Sequence, residues 1–456
     1  MIEDVVTVSI IIAYFLAVIF AAYTITIIIP YLRRQKWKTG NPQDFRWHFL
    51  VPCRDEEAVI RGTASYLLHH YPEADIWVID DDSDDATRDI VRELQEGTDR
   101  LHLIERKRPN ARLGKAQSLN YAWSIVRAGI EKRKGSFSRE VVVVVDADGR
   151  PSPNFLQVLA GEGCFGDPEV SLVQVEVQMR NRNEKKPVPD GDWLTNLLAH
   201  LFIRMQDIEF RGPISATQMT RRATNTVNAG GNGQATRASA LARINQGDGP
   251  WGESLVEDLE LGLHILFDGG KNAYTTDAYV DQEALYSLQR YLVQRARWSR
   301  GTMQCSEYIP RVWRTPQITN LGAMEMTFFL VQPWNQLVGS IVFPIPLIAF
   351  LYALVKVPNF AENFASRGGW IILGTILLIG MVEFALWGIL YWAKCERKKP
   401  AWLSLVWGLS YLIYVYINYP VVWRAFIQLF TGKQGWAKTR RNAEVSVPVS
   451  ETARFD

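Results

Sequence analysis

Residues able to do chemistry gather at the ends of short apolar runs in the middle of this 456-residue chain. The clearest case is Asp146-Ala147-Asp148, which closes a run of five valines at 141–145. β-Branched side chains with nothing polar among them predict a strand covered on both faces. In an open α/β sheet, ligands bind beyond the carboxyl ends of such strands. Two aspartates one residue apart repel each other as anions unless something positive lies between them. Hard carboxylate oxygens suit Mg²⁺ or Mn²⁺ carrying a diphosphate. The same pair also fits a solvated turn, so the neighbouring sequence must decide.

A second acidic run, Asp80-Asp81-Asp82-Ser83-Asp84-Asp85, follows another apolar stretch. Ser83 or Asp84 suits a helix cap and early carboxylates favour the positive helix end, which accounts less well for three aspartates directly after a strand. Arg112-Leu113-Gly114-Lys115 opens a helical stretch. Free backbone N–H groups and a lysine there suit phosphate, or simply begin a helix. Residues 253–266 read as a helix with Leu255, Leu259, Gly262, Leu263 and Leu266 on one apolar stripe. Glu257, Asp258 and Glu260 fall outside it, so periodicity alone makes them a solvated face. Residues 289–300, with Arg295, Arg297 and Trp298, suit an amphipathic helix lying on a membrane.

These residues need a scaffold. Strand patterns at 48–53, 75–80, 101–105 and 141–145 alternate with helical patterns at 56–70, up to about 95, and at 114–128, predicting a parallel sheet wound with helices. The charged, proline-containing stretch 180–191 reads as a loop. A net charge of +2 leaves no basic footprint for nucleic acid. Cys53, Cys164, Cys305 and Cys395 are widely separated, without the spacing of a zinc site or a disulfide framework, and the six histidines form no metal constellation.

Both ends of the chain are apolar. Residues 5–32 carry no charge, follow Glu3 and Asp4, and precede Arg33, Arg34, Lys36 and Lys38. A signal peptide would be basic on the other flank, so this segment is expected to be a retained anchor with its N-terminus outside. Apolar stretches follow at 334–357, 370–393 and 402–430, with a near-neutral loop at 358–369 and a basic one at 394–399. The expected division is an anchor at 1–38, a catalytic domain at 39–288, interfacial helices at 289–333, a transmembrane region at 334–430 and a tail at 431–456. Trp334, Trp370, Trp387, Trp392 and Trp402 lie near span ends, where indoles favour the headgroup zone. Glu383, inside the middle stretch, suggests a polar path or partner. Three later crossings would carry the tail outside, against its Lys433, Lys438, Arg440 and Arg441. A cytoplasmic tail requires one stretch to be re-entrant or double, and 402–430, broken at Pro420 and carrying Arg424, is expected to be that stretch.

In order along the chain stand Val51-Pro-Cys-Arg-Asp-Glu-Glu57, Ile79-Asp-Asp-Asp-Ser-Asp-Asp85, Gly114-Lys115-Ala116, Asp146-Ala-Asp148, Val256-Glu257-Asp258 and Gln294-Arg-Ala-Arg-Trp298. This series resembles the D, D-x-D, E-D, Q-x-x-R-W set of membrane-bound family 2 glycosyltransferases, a group with cellulose, chitin and hyaluronan synthases and ceramide glucosyltransferases. The resemblance implies an α/β GT-A fold with a parallel-rich mixed sheet set between transmembrane helices. It implies a UDP-sugar donor, Mg²⁺ or Mn²⁺, and inversion at the anomeric carbon. Asp81 matches the aspartate that reads uracil, with Pro52 and Glu57 in the same pocket and Lys115 near the nucleotide. Asp148 matches the main metal ligand and Asp146 a donor-contacting carboxylate that shares the metal. Asp258, with Glu257 beside it, matches the general base. Arg297 matches the diphosphate clamp, and Trp298 with Gln294 the acceptor side. Two positions depart from the pattern: Asp82 stands for the usual glycine and Asp55 for a frequent asparagine. The acceptor-loop segment, Ala229-Gly-Gly-Asn-Gly-Gln-Ala-Thr-Arg237, matches no named polymer synthase closely. Trp436-Ala-Lys-Thr-Arg440 is similar to the W-G-T-R tail motif of hyaluronan and chitin synthases.

The leading expectation is a processive polysaccharide synthase of the cell membrane, with a cytoplasmic catalytic domain, a glycan acceptor and lipid around its spans. Transfer of one sugar to ceramide, diacylglycerol or a polyprenyl lipid is the alternative. A nucleotide-gated membrane protein with a dead transferase domain predicts loss of Asp148, Asp258 or Trp298, and all three are present.

Overall fold

The computed structural model describes residues 2–34, 36–245, 247 and 249–431, so the basic tail and its tryptophan motif lie outside the described residues, as does the side chain of Glu383. The chain begins with helix α1 (Ile2–Leu32) and then builds a sheet. Strands β1 (Arg46–Cys53), β2 (Ala74–Asp81), β3 (Leu101–Arg106) and β4 (Glu140–Val144) pair in parallel, linked by α2 (Glu57–His70), α3 (Thr87–Gln95) and α4 (Lys115–Lys132). The valine run is covered on both faces, as expected. Val141, Val143 and Val145 enter one core layer and Val142 and Val144 the other.

The second half of the sheet carries little periodic signal in the sequence. After β5 (Arg150–Pro151) and α5 (Phe155–Leu159) comes β6 (Val170–Met179), buried throughout although it holds Gln174, Glu176 and Gln178. Helix α6 (Trp193–Glu209), a π-helical turn (Phe210–Ile214) and α7 (Ser215–Arg222) lead to β7 (Gln234–Arg237), α8 (Ala238–Ile244), α9 (Glu257–Phe267) and β8 (Lys271–Gln282). Strand order is β3-β2-β1-β4-β7-β6-β8-β5, with β7 antiparallel to both β4 and β6. Four strand pairings are parallel and three antiparallel, which is the mixed, parallel-rich sheet expected.

Beyond the sheet follow α10 (Leu288–Cys305), α11 (Ile309–Arg314), α12 (Asn320–Val342), α13 (Pro344–Lys356), α14 (Phe360–Ser366), α15 (Gly369–Cys395), α16 (Leu403–Val415) and α17 (Asn418–Phe430). Among the described residues, four helical segments are long and apolar enough to cross a membrane: Ile10–Leu32, Asn320–Lys356, Gly369–Cys395 and Leu403–Phe430. The boundary drawn at 333/334 falls inside α12, which runs unbroken through Pro333. The last segment is divided, but at Tyr416-Ile417 rather than at Pro420. Pro420 sits in the first turn of α17, where its missing N–H is least costly. Each half has 13 residues, about 20 Å of helix against a hydrocarbon core of about 30 Å.

Neither half stands apart from the catalytic domain. The Tyr414 hydroxyl on α16 donates to Glu209 of α6 at 2.6 Å. Val422 and Ala425 of α17 pack with Met303 of α10 and Leu337 of α12. On α10, Tyr291, Arg295, Ala296, Arg300 and Gly301 are buried: Tyr291 donates to Tyr414 of α16, Arg295 pairs with Glu209 of α6 and Gly301 meets Val256, while Leu288, Gln289 and Gln304 are exposed. Among the span-end indoles, Trp370 and Trp402 are exposed, whereas Trp387 is buried against Tyr31.

The ends of α1 and α15 meet the sheet through ionic contacts. Lys394 Nζ donates to the carbonyl of Leu32 at 3.0 Å, which puts both ends on one side. Glu176 of β6 is met by Arg34 and Arg211, each at 3.7 Å, and by the Ser215 hydroxyl at 3.0 Å. Arg211 also pairs with Asp207 at 3.2 Å and with Glu396 at 3.4 Å. Since α16 and α17 rest on α6 and α10, the expected topology has the 394–399 loop on the side of the catalytic domain and residues 358–369 opposite. Single cysteines placed at Ser366 and Lys398 test this topology. An impermeant thiol reagent on intact cells should label Ser366→Cys and leave Lys398→Cys unlabelled, with little background from the buried Cys53, Cys164 and Cys305. The opposite pattern would invert the assignment.

Candidate active site

The parallel strands deliver their carboxyl ends to one edge. Pro52 pairs with Ile79 and Leu50 with Val144, so Pro52, Asp81 and Asp146 gather there. Asp146-Ala-Asp148 sits on a tight turn closed by the Gly149 N–H donating to the Asp146 carbonyl at 2.8 Å. The antiparallel half of the sheet then fixes the two carboxylates. Asn232 accepts the Asp146 N–H at 3.2 Å and donates to Gln282 at 3.1 Å, while buried Asp148 accepts the Glu283 N–H at 3.0 Å.

Helix α9 starts at Glu257, four residues later than periodicity suggested. The preceding N–H groups are used elsewhere: Ser254 donates to Glu260 at 2.9 Å and Leu255 to Gln304 at 3.2 Å. Glu257 and Asp258 thus occupy the first turn, where the helix dipole favours an anion. The solvated-face reading fails for their neighbours. Leu259, Leu263 and Leu266 pack towards α10, α11 and α12, and Leu261 and Ile265 pack towards the sheet. With α9 covered on two sides, Glu257 and Glu260 are buried as well.

Lys115, the first residue of α4, reaches between the two acidic pairs. Its Nζ lies 2.7 Å from Asp146 and 3.7 Å from Glu257. Gly231 holds φ +54°, and a Cβ there would lie 2.9 Å from Asp258 Oδ2 and 3.5 Å from Lys115 Nζ. Burial, then the Glu257 charge, push the Asp258 carboxyl up to about 7, with Lys115 and the Leu259 N–H pulling the other way. Burial alone would lower the Lys115 ammonium, but Asp146, Glu257 and Asp258 outweigh it and raise its pKa. A carboxylate poised near neutrality beside a fixed cation suits a general base.

At the far end of the edge, buried Asp81 accepts from Arg106 at 2.5 Å and from the Arg112 N–H at 3.0 Å. Pro52 is half-buried beside it in sequence register. Glu57 is exposed, and its carboxylate takes the Ala86 N–H at 2.9 Å, clipping α2 to the start of α3. Asp55 and Asp82, the two departures from the family pattern, both hold left-handed φ values of 52° and 63°. Aspartate enters that region more readily than most residues, so both substitutions keep the backbone that asparagine or glycine would give.

Helix α10 brings in the last group. Its Gly301 abuts the backbone of Val256, so α10 presses on the start of α9. Arg295 pairs with Glu209 at 2.7 Å and lies 4.4 Å over the Trp298 ring, which steadies that indole. Gln294, Arg297 and Trp298 are half-buried. Among the described residues Arg297 forms no ion pair, and its buried Nε has no hydrogen-bond partner. Sequence reasoning missed Arg106, Glu209, Asn232 and Gln282, which hold other functional residues rather than carrying chemistry themselves. Only the clustered glycines around Asn232 gave a signal.

Residues 44–301 match the family model described as "Glycosyltransferase like family 2", more than half of the chain. The chain belongs to that family. Among curated relatives it is similar to the "Probable glycosyltransferase YdaM" of Bacillus subtilis, 26% identical over 58% of this chain and 57% of that one. It is also similar to a β-monoglucosyldiacylglycerol synthase of Trichormus variabilis, 28% identical over 56% of this chain and 48% of the other. A hyaluronan synthase of Streptococcus pyogenes is 23% identical over 64% and 65%. The chain thus spans about half the length of the first two relatives. Among solved structures, a mannosyltransferase of Pyrobaculum calidifontis in complex with GDP-Man and Mn²⁺ superposes with a TM-score of 0.53 at 17% identity, covering 95% of this chain and all of that one. The fold is GT-A-like, with membrane helices flanking the catalytic domain.

In this family 2 domain the donor set suits a divalent cation. Asp146 and Asp148 offer hard oxygens on one rigid turn, and among the described residues no group of three or more His, Cys, Asp or Glu side chains forms a metal cage. Mg²⁺ commonly takes one or two carboxylates and completes its shell with substrate phosphates and water. The close approach at Gly231 gives a direct test of the geometry. Gly231→Ala should fold, because the strain of a left-handed alanine is only about 1–2 kcal/mol, yet its Cβ would crowd the Asp258 carboxylate. Turnover should fall by an order of magnitude or more while the melting temperature drops by only about 2–8 °C. Normal turnover would show that Asp258 does not sit at the reacting centre.

Proposed function

We propose that this chain is an inverting, metal-dependent glycosyltransferase that moves a sugar from UDP-sugar onto a growing polysaccharide at the cytoplasmic face of the cell membrane, processively and coupled to export. The observation that carries transfer is the meeting of Asp146, Glu257 and Asp258 around Lys115. Asp258 takes the proton of the acceptor hydroxyl as its oxygen bonds to the anomeric carbon. The sugar–phosphate bond breaks on the opposite face, so the configuration inverts. Arg297 meets the charge that gathers on the departing diphosphate. Asp148 and Asp146 would hold Mg²⁺ or Mn²⁺, which offsets further diphosphate charge when bound. Asp81 and Pro52 belong to the nucleotide end, with Glu57 fastening the loop beside them. Trp298 and Gln294 belong to the acceptor end, where an indole face suits a sugar ring.

Similarity to a hyaluronan synthase supports a polymer product. A lipid acceptor is the second reading. Its support is that only 11%, 11% and 7% of the most apolar stretches of the first three candidate spans are buried, leaving wide apolar flanks for lipid, together with the similarity to a β-monoglucosyldiacylglycerol synthase. Incubation with a panel of labelled UDP-sugars separates the two: a ladder or high polymer supports the first, one organic-soluble glycolipid the second.

Three outcomes test the chemistry. Activity should vanish in EDTA and return with Mg²⁺ or Mn²⁺, and full activity in chelator would remove the metal from the scheme. Asp258→Asn should lower transfer by about 10²–10⁴-fold while UDP binding, measured by calorimetry, stays near normal. The base works only when ionised and its folded pKa is raised to about 7. Hence kcat/KM should be full above that pH and fall as pH drops through it. A wild-type profile flat from pH 5 to 8 would assign the proton to another group.

A further inference from the structure

The ladder of β8 stops one residue short of the backbone that steadies the Asp146–Asp148 turn. Gln282 makes its last rung, with Met179 of β6, and α10 begins only at Leu288. Residues 283–287 hold no regular structure, yet Ala284 and Leu285 are buried. Buried backbone groups need partners, and two side-chain amides supply them. Asn181 accepts the Ala284 N–H at 3.0 Å and donates to the Ala284 carbonyl at 3.0 Å. Gln206 accepts the Leu285 N–H at 3.2 Å and donates to the Leu285 carbonyl at 2.6 Å. Each amide reproduces the pair of bonds that a facing strand residue would exchange.

This strap reaches both carboxylates of the turn. The Glu283 N–H donates to Asp148 at 3.0 Å, and the Gln282 side chain accepts from Asn232, which itself accepts the Asp146 N–H. Ala284 follows Glu283 directly, so the clamp on Ala284 and Leu285 fixes the direction of the N–H that meets Asp148. Asn181 stands on the short turn after β6 (Arg180–Asn183), and buried Gln206 stands on α6. The next residue of α6, Asp207, accepts the Met179 N–H at 2.8 Å and the Tyr391 hydroxyl of α15. Gln206 is therefore held between the sheet and a candidate span.

We infer that Asn181 and Gln206 are positioning residues that set the geometry, and so the cation affinity, of Asp148 and Asp146. Both act through the backbone of residues 283–285. A ligating carboxylate keeps the angle that its own hydrogen bonds give it, and loss of such support commonly costs about 10–100-fold in metal affinity. The inference rests on the reading of Asp146 and Asp148 as cation ligands. A packing role alone would cost stability and leave the cation constant where it was. Asn196 provides the comparison, since it clamps Val188 in the same way, accepting its N–H and donating to its carbonyl at 3.0 Å each. Among the described residues neither Asn196 nor Val188 bonds to the turn or the strap.

The test compares the full chain in lipid nanodiscs as wild type, Asn181→Ala, Gln206→Met and Asn196→Leu. Free Mn²⁺ is counted by electron paramagnetic resonance with UDP at saturation, UDP release is followed as Mn²⁺ is raised, and melting is recorded. Asn181→Ala and Gln206→Met should each weaken Mn²⁺ binding by about tenfold. The Mn²⁺ needed for half-maximal rate should rise by the same factor, while kcat at saturating Mn²⁺ stays within about threefold of wild type. Asn196→Leu should melt a few degrees lower and hold Mn²⁺ as the wild type does. Asn181 is half-buried, so its alanine variant carries the test should Gln206→Met fail to fold. Unchanged Mn²⁺ affinity in the clamp variants would overturn the inference, and so would an equal loss in Asn196→Leu. A wild type that holds no Mn²⁺ with UDP would overturn the cation reading and this inference together, whereas Mn²⁺ held equally by every variant would overturn this inference alone.

Discussion

One ammonium stands among the carboxylates of the cleft, and the catalytic half of the chain is arranged around that imbalance. Lys115 Nζ is held by Asp146 and Glu257, with Asp258 close by and Asp148 on the same turn as Asp146. Buried carboxylates without a counter-charge are costly. Lys115 answers one of them, and Asp258 answers another by holding its proton up to about neutral pH. The negative charge that remains is a reason for a cation to enter with the diphosphate. Such a cluster persists only if its backbone cannot relax. The valine strand buried on both faces aims Asp146, the Asn232–Gln282 bond fixes its amide, and Gly301 of α10 presses on the start of α9.

The seat of this domain on its spans follows a different rule. Apolar contact does not prescribe direction, and the flanks of α1, α12, α13 and α15 are apolar almost throughout. The junction is instead ionic. Arg34 at the end of α1, Glu176 in the sheet, Arg211 and Asp207 around the π-helical turn, and Glu396 after α15 form one connected set. Removing Glu176 would leave Arg34 without its carboxylate, and the partners that Arg211 shares with it tie two span ends to the sheet. The same set explains why Arg34, placed by the sequence as a basic flank for the headgroups, is partly withdrawn into protein.

The parallel half of the sheet was legible because covered strands and amphipathic helices leave strong periodic marks, and the valine run is the strongest. The antiparallel half was not. β6 carries Gln174, Glu176 and Gln178 and yet is buried throughout, since each polar side chain has a dedicated hydrogen-bond partner that periodicity cannot reveal. At the site, residue types and their order offered the candidates, but their supports, Arg106 behind Asp81 and Glu209 behind Arg295, became visible only once distant segments met. The 257–260 stretch shows the limit most clearly. A helix with acids outside its stripe reads as half-solvated, but α9 is packed from two sides, and burial rather than pattern gives Asp258 its raised pKa.

Hydropathy reports what leaves water, not what replaces it. Leu403–Phe430 has the length and apolarity of a span, and 33% of its most apolar stretch is buried by the chain, with α16 against α6 and α17 against α10. That packing covers one face of α10, where Met303 meets Val422 and Ala425. The same packing sets α17 beside α12, with Val422 and Ala425 against Leu337.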